Sequence, residues 1–161
     1  EHLRPAHLSI GGEDHPLVWG GPGAAYGLTW TKGHPEGVRH VCPHCGAEIA
    51  QADYLACADV GRWKSQAGTW LDDAGRFRSA SGSVLRTPAS VGVHIWSAYS
   101  PQTTWVRIAR DFVEAEAAAQ VGRAGPMISF TNETLGLTWE TPADRVEVEA
   151  LKQRAGGYQT E

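Results

Sequence analysis

The six residues Val41–Gly46, with the sequence Val-Cys-Pro-His-Cys-Gly, decide how the first half of this chain folds. Two cysteines separated by two residues and followed by glycine are typical of a zinc knuckle, a tight turn that points both thiolates at one ion. The alternatives are a redox-active pair or two small core residues; a redox pair usually opens a helix, whereas Pro43 and Gly46 favour a turn. We therefore predict that Cys42 and Cys45 bind zinc, or descend from a zinc site, with both thiols exposed at the tip of the turn.

The composition of the chain narrows the class of protein. With 161 residues, 42% of them hydrophobic, the chain can form one domain with a real core. Its net charge of −4 argues against binding nucleic acid with the whole surface. Three cysteines are too few for a disulfide scaffold and indicate a reducing compartment. No apolar run approaches the roughly 20 residues of a membrane span, so we expect no membrane association. The absence of a starting methionine is compatible with a piece of a longer protein.

One knuckle supplies only two ligands, and the others are sought among the histidines of the first half. Segment 1–46 is rich in glycine and proline and has only short apolar stretches, which predicts short strands and tight turns. Six of the seven histidines fall in this segment: His2, His7, His15, His34, His40 and His44.

A faint internal repeat ranks these histidines. Residues 12–15 resemble residues 46–49, and this alignment places a second knuckle at Leu8 and Gly11, without its cysteines. Because paired knuckles normally close one tetrahedron together, the thiolates of the first knuckle should face this segment. The candidates for the remaining ligands are first His15 and His7, then His2 and His40.

A local excess of positive charge lies between Gly61 and Arg86, where five basic residues face only Asp72 and Asp73. Such an excess can meet phosphates, although a solvated face is the alternative. The predicted nucleic-acid contacts are four of these residues: Arg62, Lys64, Arg76 and Arg78.

Hydrophobic spacing predicts a mixed α+β fold. We expect a short helix from Gln51 towards Gly61, a hairpin across the turn 72–75, and a buried strand over Val91–Trp96. His94 is expected to be a strand histidine bonded to backbone. The tryptophans expected in the core are Trp70, Trp96, Trp105 and Trp139.

The apolar period changes after Pro101 to alternating steps of three and four, which predicts a long helix from an N-cap at Thr104 to about Val121. Its apolar face comprises Trp105, Ile108, Phe112, Ala115 and Ala119. A shorter helix closed by Gly136 and a third after Thr141 follow. We thus predict an irregular, β-rich, zinc-ribbon-like region over 1–100, packed with about three helices over 101–161.

Several motifs resemble the large terminase subunits of lambda-like phages. Residues 91–105, Val-Gly-Val-His-Ile-Trp-Ser-Ala-Tyr-Ser-Pro-Gln-Thr-Thr-Trp, are similar to a run that leads into a helix in that family. The family's Phe-x-Asn-x-x-Leu-Gly-x-x-Trp pattern is matched by Phe130, Asn132, Leu135, Gly136 and Trp139. The Cys-x-x-Cys-Gly knuckle and the tripeptide Gly-Thr-Trp at 68–70 fit the family order, so the similarity runs from about Pro5 to Tyr158.

The resemblance implies a role in packaging viral DNA. The family couples an ATPase motor to a metal-dependent endonuclease, and this chain resembles the part between the two. It has no Gly-x-x-x-x-Gly-Lys-Ser/Thr loop and no acidic cluster for a nuclease metal pair, so we expect no ATPase or nuclease activity from the chain alone. The implied partners are double-stranded DNA and other terminase or procapsid subunits, in the cytoplasm of the host cell.

The resemblance also bears on the metal. The family usually carries a first Cys-x-x-Cys where this chain has Leu8 and Gly11, so a site with four cysteines is out of reach. Either His7 and His15 complete a site with two cysteines and two histidines, or the site has decayed.

Two other functions are left open by the sequence. A stand-alone zinc-ribbon module that binds nucleic acid would need a basic face, which the acidic total disfavours. A deaminase-type zinc hydrolase is suggested by His34 and Glu36 ahead of the knuckle, but only five residues separate Glu36 from Cys42, too few for the helix crossing that such a site needs.

Overall fold

The computed structural model describes residues 2–6, 8–10, 13–57, 61–65 and 67–140. Within these ranges the fold is mixed, with short strands in the first half and helices after residue 104, which confirms the α+β prediction. The helix predicted after Thr141 lies outside the described residues. The strands are β1 (His2–Ala6), β2 (Leu8–Ile10), β3 (Glu13–His15), β4 (Trp19–Pro22), β5 (Gly27–Trp30), β6 (Arg39–Val41), β7 (Glu48–Ile49), β8 (Arg62–Lys64), β9 (Trp70–Leu71), β10 (Phe77–Arg78) and β11 (Gly92–Val93). The helices are α1 (Gln51–Ala56), α2 (Trp105–Gln120) and α3 (Gly125–Ser129), with one-turn 3-10 segments at Pro35–Gly37 and Ser97–Tyr99 and a π-helical turn at Phe130–Thr134.

The strands form two small sheets and a separate hairpin. One sheet has the order β4-β5-β6-β7, the other has the order β10-β9-β8-β1-β11, and β2 pairs with β3. The predicted hairpin across 72–75 is confirmed as β9 and β10, which pair antiparallel. The N-terminal strand β1 lies between β8 and β11 in the larger sheet, so the start of the chain pairs with residues after Gly61.

Strands β4 and β5 run parallel although they are close in sequence, and this depends on glycine. A Cβ atom at Gly27 would lie 2.8 Å from the backbone nitrogen of Gly20 and from the carbonyl of Trp19. Gly27 also has φ of +84°, a conformation that side chains oppose. Only glycine therefore lets the two strands pass at this distance.

Helix α2 confirms the long helix predicted after Pro101. The Thr104 hydroxyl caps it by accepting a 3.2 Å hydrogen bond from the Arg107 N–H. Trp105 and Ile108 on its apolar face are fully buried. At the last turn the prediction is wrong by one residue: Ala118 is buried and Ala119 is exposed, because α3 turns back against the end of α2 on the Ala118 side.

Aromatic rings from both halves of the chain meet at Trp19. Its ring centroid lies 5.2–6.2 Å from those of four others: Trp30, Trp96, Phe112 and Phe130. Trp96 and Trp105 are buried as predicted, whereas Trp70 and Trp139 are only half-buried. The sequence did not single out Trp30, which is buried in the core, or Trp19, which is half-buried and packs against it.

The buried strand predicted over Val91–Trp96 is wrong. Only Gly92 and Val93 form a strand, β11, which lies at the end of the strand order and pairs with β1. Val93 and Ile95 are 56% and 59% exposed, and burial begins at Trp96. His94 points the other way, with Nε2 3.0 Å from the Leu135 carbonyl oxygen, as expected of a histidine bonded to backbone. The β-prone run therefore lies at the edge of a sheet, where one of its faces is exposed to solvent.

Gln51 braces the two halves of the fold. Its side-chain amide donates to the Thr103 carbonyl at 2.8 Å, and its side-chain oxygen accepts from the Trp105 N–H at 2.9 Å. The start of α1 thereby holds the start of α2, and one side chain serves both a carbonyl and a helix N–H that would otherwise lack partners.

Replacement of Gln51 by Ala is expected to destabilise the chain by about 1–3 kcal/mol, since both backbone groups lose their partner in a partly buried place. The measurement is the free energy of unfolding from urea denaturation. Gln102→Ala removes the same side chain from an exposed position and should change stability by less than about 0.5 kcal/mol. Equal effects of the two variants would show that the Gln51 brace contributes nothing.

Candidate metal centre and basic strip

The knuckle predicted from Val41–Gly46 forms the turn between β6 and β7. The Gly46 N–H donates to the Cys42 carbonyl at 2.9 Å, and the Cys42 N–H donates to the Ala47 carbonyl at 2.9 Å. Gly46 has φ of +74°, which explains why glycine follows the second cysteine. The turn therefore has the compact form that places two thiols side by side.

The structure brings His15 to these thiols. His15 ends β3, and its Nδ1 lies 3.6 Å from Cys45 Sγ. The three potential ligand atoms of His15, Cys42 and Cys45 all lie within 4.8 Å of one another. Zinc bonds of roughly 2.0 Å to nitrogen and 2.3 Å to sulfur put tetrahedral ligands about 3.5 Å apart. A small contraction of this cluster, which we call the knuckle cluster, would thus hold a metal ion.

The surroundings of Cys42 favour its thiolate. Burial by itself raises the pKa of the Cys42 thiol, but hydrogen bonds from the Cys45 and His44 backbone and from the His15 and Cys45 side chains outweigh it, so that the pKa is lowered. The His44 N–H lies 3.4 Å from Cys42 Sγ. A thiolate is the form of cysteine that binds metal.

The two thiols differ in exposure, and the expectation that both are exposed is wrong. Cys45 is exposed, whereas Cys42 has no accessible surface and packs within the core. The difference follows from the turn, since Cys42 still continues the inward face of β6 and Cys45 lies at its tip. Replacement of Cys42 therefore affects packing as well as any bound metal.

His40, a reserve candidate, has a different role. It is 1% exposed on β6, and its Nε2 accepts from the Val18 N–H at 3.4 Å. Burial, together with the nearby His15, lowers the pKa of His40 to about 4, which keeps the ring neutral. His40 is a buried structural histidine beside the knuckle cluster and not part of it.

The other predicted ligands are not in the cluster that the described residues form. His7 lies outside the described residues, and His2 belongs to β1 in the other sheet. His34 is exposed and pairs with Glu36 at 3.0 Å, away from any cluster of metal-binding side chains among the described residues, so the deaminase-type site is not supported.

A second knuckle has no room in the first hairpin. Leu8 pairs with His15 and Ile10 pairs with Glu13, so only two residues connect β2 and β3. In the knuckle hairpin Val41 pairs with Glu48, and six residues connect the strands. Leu8 is therefore a strand residue where the repeat predicted the first ligand of a second knuckle.

The predicted nucleic-acid contacts gather on the larger sheet. The register pairs Lys64 with Trp70 and Trp70 with Arg78, which puts these side chains on one face. The Arg62 guanidinium lies 4.6 Å above the Trp70 ring, on the same face. We call this face, with the neighbouring Arg76, the basic strip.

Asp72 neutralises two of the four basic residues. Its Oδ2 lies 2.9 Å from Arg78 Nε and 3.1 Å from Arg76 Nε. The backbone N–H of Arg76, and then the two arginine side chains, lower the pKa of the Asp72 carboxyl to about 2. The sequence showed the charges but not this pairing, which compensates the charges of Arg76 and Arg78 and makes them poorer candidates for phosphate contact.

Comparison with known proteins bears on the resemblance. Residues 90–161 match the family described as terminase large subunit gpA, endonuclease domain. The chain is 35% identical over 148 residues to the terminase large subunit of Escherichia phage lambda, covering 91% of this chain and 22% of that protein. It is 38% identical over 130 residues to the terminase large subunit of Enterobacteria phage P21, covering 80% of this chain and 19% of that protein. No solved structure matches the chain.

The family match shows that the second part of this chain is similar to the endonuclease domains of terminase large subunits. The predicted resemblance is confirmed, since the chain is similar over most of its length to the terminase large subunits of phages lambda and P21. It spans about a fifth of the length of the curated relatives it matches. Among the described residues, no helix has the length and apolarity to cross a membrane.

Native mass spectrometry is expected to find one zinc ion per chain, bound by the knuckle cluster. The double change Cys42→Ser and Cys45→Ser should remove it, whereas Cys57→Ser, a half-buried cysteine outside the cluster, should keep it. Free zinc at 100 times its Kd should raise the free energy of unfolding by about 2.7 kcal/mol. Zinc-free protein that zinc does not stabilise would contradict the site.

The Asp72 carboxyl is expected to titrate near pH 2, which carboxyl NMR shifts can follow. Because folding lowers its pKa from 3.8, its contribution to stability should be complete above pH 4 and disappear as the pH falls towards 2. Asp72→Asn should lack this part of the pH dependence, and Asp73→Asn, which leaves the arginine clamp intact, should keep it. A midpoint near 4 would show that the clamp does not form in solution.

Proposed function

We propose that this chain is a connecting segment of a viral DNA-packaging terminase large subunit, between its ATPase motor and its endonuclease. In this proposal residues 1–100 are the zinc-stabilised, β-rich region, and residues 101–161, which lie within the match to the endonuclease family, lead into that domain. The full-length protein would bind double-stranded DNA and other terminase or procapsid subunits, in the host cytoplasm. The similarity to the lambda and P21 subunits over most of this chain supports the setting.

The aromatic cluster around Trp19 is the observation that carries the connecting role. Trp19 belongs to β4 in the β4-β5-β6-β7 sheet, which carries the knuckle and which we call the knuckle sheet. Phe112 and Phe130 belong to the helical part, and their ring centroids lie 5.2 and 5.3 Å from that of Trp19. The Gln51 side chain adds a second link. A segment whose two ends share one core acts as a rigid spacer, and it fixes the distance between the parts joined to it.

A bound zinc ion would complete this spacer. The knuckle sheet has few residues of its own, and the knuckle cluster ties β3 to the turn after β6. A structural zinc contributes folding free energy where the apolar core is small. The role proposed for the metal is therefore structural, with the ion joining the first hairpin to the knuckle.

Insertion of a flexible Gly-Ser linker tests the connecting role in a full-length subunit. The matched region of the P21 terminase large subunit would be replaced by this chain, with six extra residues inserted either after Gln102 or after Ser81. The first site separates the shared core at the Gln51 brace, and the second is an exposed hairpin tip.

The hybrid with the linker after Gln102 should keep ATP hydrolysis within about twofold and lose DNA packaging at least tenfold, because only the geometry between the parts changes. The linker after Ser81 should leave both activities near those of the unmodified hybrid. Circular dichroism would establish that each hybrid is folded. Full packaging with the linker after Gln102 would exclude a rigid spacer.

The stand-alone nucleic-acid module is the less supported function. Two of the four basic residues are paired with Asp72, and the resemblance to terminase subunits covers 91% of the chain. A basic strip of this size could still contribute one DNA contact to a larger protein.

A further inference from the structure

A cavity of about 540 Å³ lies between the knuckle turn, the end of β8 and the segment after β11. Trp19, Trp96 and Tyr99 form aromatic walls, Leu137 lies at its margin, and Lys64 supplies a cation. Its volume is within the roughly 300–1,000 Å³ that is usual for pockets enclosing a small organic molecule. Neither the knuckle cluster nor the aromatic core accounts for this opening.

We propose that this cavity takes an unpaired nucleobase, with the adjoining phosphate held by Lys64. The inference deepens the proposed function, on which it rests, because it names a DNA contact within the connecting segment. Aromatic rings bind bases of any sequence by stacking, and a nearby cation binds the backbone. None of the described residues that line the cavity is acidic, so none of them repels a phosphate.

The basic strip gives a strand a route to the cavity. Lys64 and Arg62 are two residues apart on β8, so both side chains lie on the face that carries Trp70. Lys64 lines the cavity, and Arg62 continues the positive charge away from it. A backbone that follows Arg62 and Lys64 would deliver its next base to the opening.

The shape and chemistry of the cavity favour a single base over a base pair. Trp19 and Tyr99 line the cavity and are only half-buried, so part of each side chain is accessible to a flat group. A base inside a duplex is stacked on both sides and reaches such a pocket only when it leaves the helix. His94 and Ser65 add polar atoms at the wall. A nucleobase can hydrogen-bond to such atoms, whereas an apolar peptide would leave them unused.

The test measures binding of the 161-residue chain to fluorescent DNA by anisotropy. A strand of ten thymidylates should bind at least tenfold more tightly than a duplex of the same length. A ten-residue strand of abasic sites should lose that advantage. A duplex with one bulged thymidine should recover part of it, and free thymidine monophosphate as competitor shows whether the base is accepted without a strand.

Two variants assign the site. Lys64→Ala should weaken the single strand roughly three- to tenfold and reduce the slope of log K against log salt by about 0.7, as expected for one lost phosphate contact. Lys32→Ala, which removes an exposed lysine outside the cavity, should change binding less than twofold. Leu137→Trp should fill the opening and abolish the preference for bases, with an unchanged circular dichroism spectrum.

Equal affinity for the thymidylate and abasic strands, or full binding by Leu137→Trp, would overturn the proposal. Binding of an apolar peptide that thymidylate does not displace would assign the cavity to a protein segment instead. These outcomes are independent of the connecting role, since the linker experiment depends on ATP hydrolysis and packaging and this one on DNA binding by the chain alone.

Discussion

The Trp19 side chain is the contact on which the rest of the fold depends. Its ring contacts rings from β5, from Trp96 just before the 3-10 segment Ser97–Tyr99, from α2 and from the π-helical turn. Aromatic pairs of this kind contribute about 0.5–1.5 kcal/mol each beyond the area that they bury. Because the partners come from the knuckle sheet, from the segment after β11 and from the helical part, the knuckle sheet and the helices share one core.

This packing also has a cost. The Trp30 ring is 1% exposed, and its Nε1 is buried without a hydrogen-bond partner among the described residues. A buried donor left unpaired costs about 1–3 kcal/mol. The ring is nonetheless placed there, 5.9 Å from Phe112 and 5.8 Å from Trp19, so the aromatic contacts outweigh the lost hydrogen bond.

The parts of the fold that the sequence predicts are those set by local pattern. The period of the residues after Thr104 predicts α2, and the glycine after Cys45 predicts the knuckle turn. Burial of a strand depends on its neighbours, which explains why the run from Val91 was placed wrongly. Trp19 and Trp30 lie in segments too short to show a period, and only the folded chain reveals that they meet.

The candidate site was predictable to a similar degree. The Cys-x-x-Cys spacing gives Cys42 and Cys45, and the weak repeat gives His15. The repeat is all that ranks His15 above His40 in the sequence, because the hydrogen bond from the Val18 N–H to the His40 ring is a tertiary contact. Likewise, charge counting finds Arg76 and Arg78 but cannot show that both are clamped by Asp72. The sequence pattern therefore predicts the residue types of the site but not the side-chain partners, because those depend on tertiary contacts.

The position of β11 has a consequence for association between copies of the chain. It ends the described strand order, and the side chains of Val93 and of Ile95, two residues later, are mostly exposed. The edge strands of sheets usually carry charged residues or proline, or are very short, which prevents one sheet from continuing into another molecule. Val91 to Trp96 includes no charged carboxylate, lysine, arginine or proline, so the protection of this edge comes from the length of β11, which is two residues. A change that lengthened β11 would therefore favour pairing between copies of the chain.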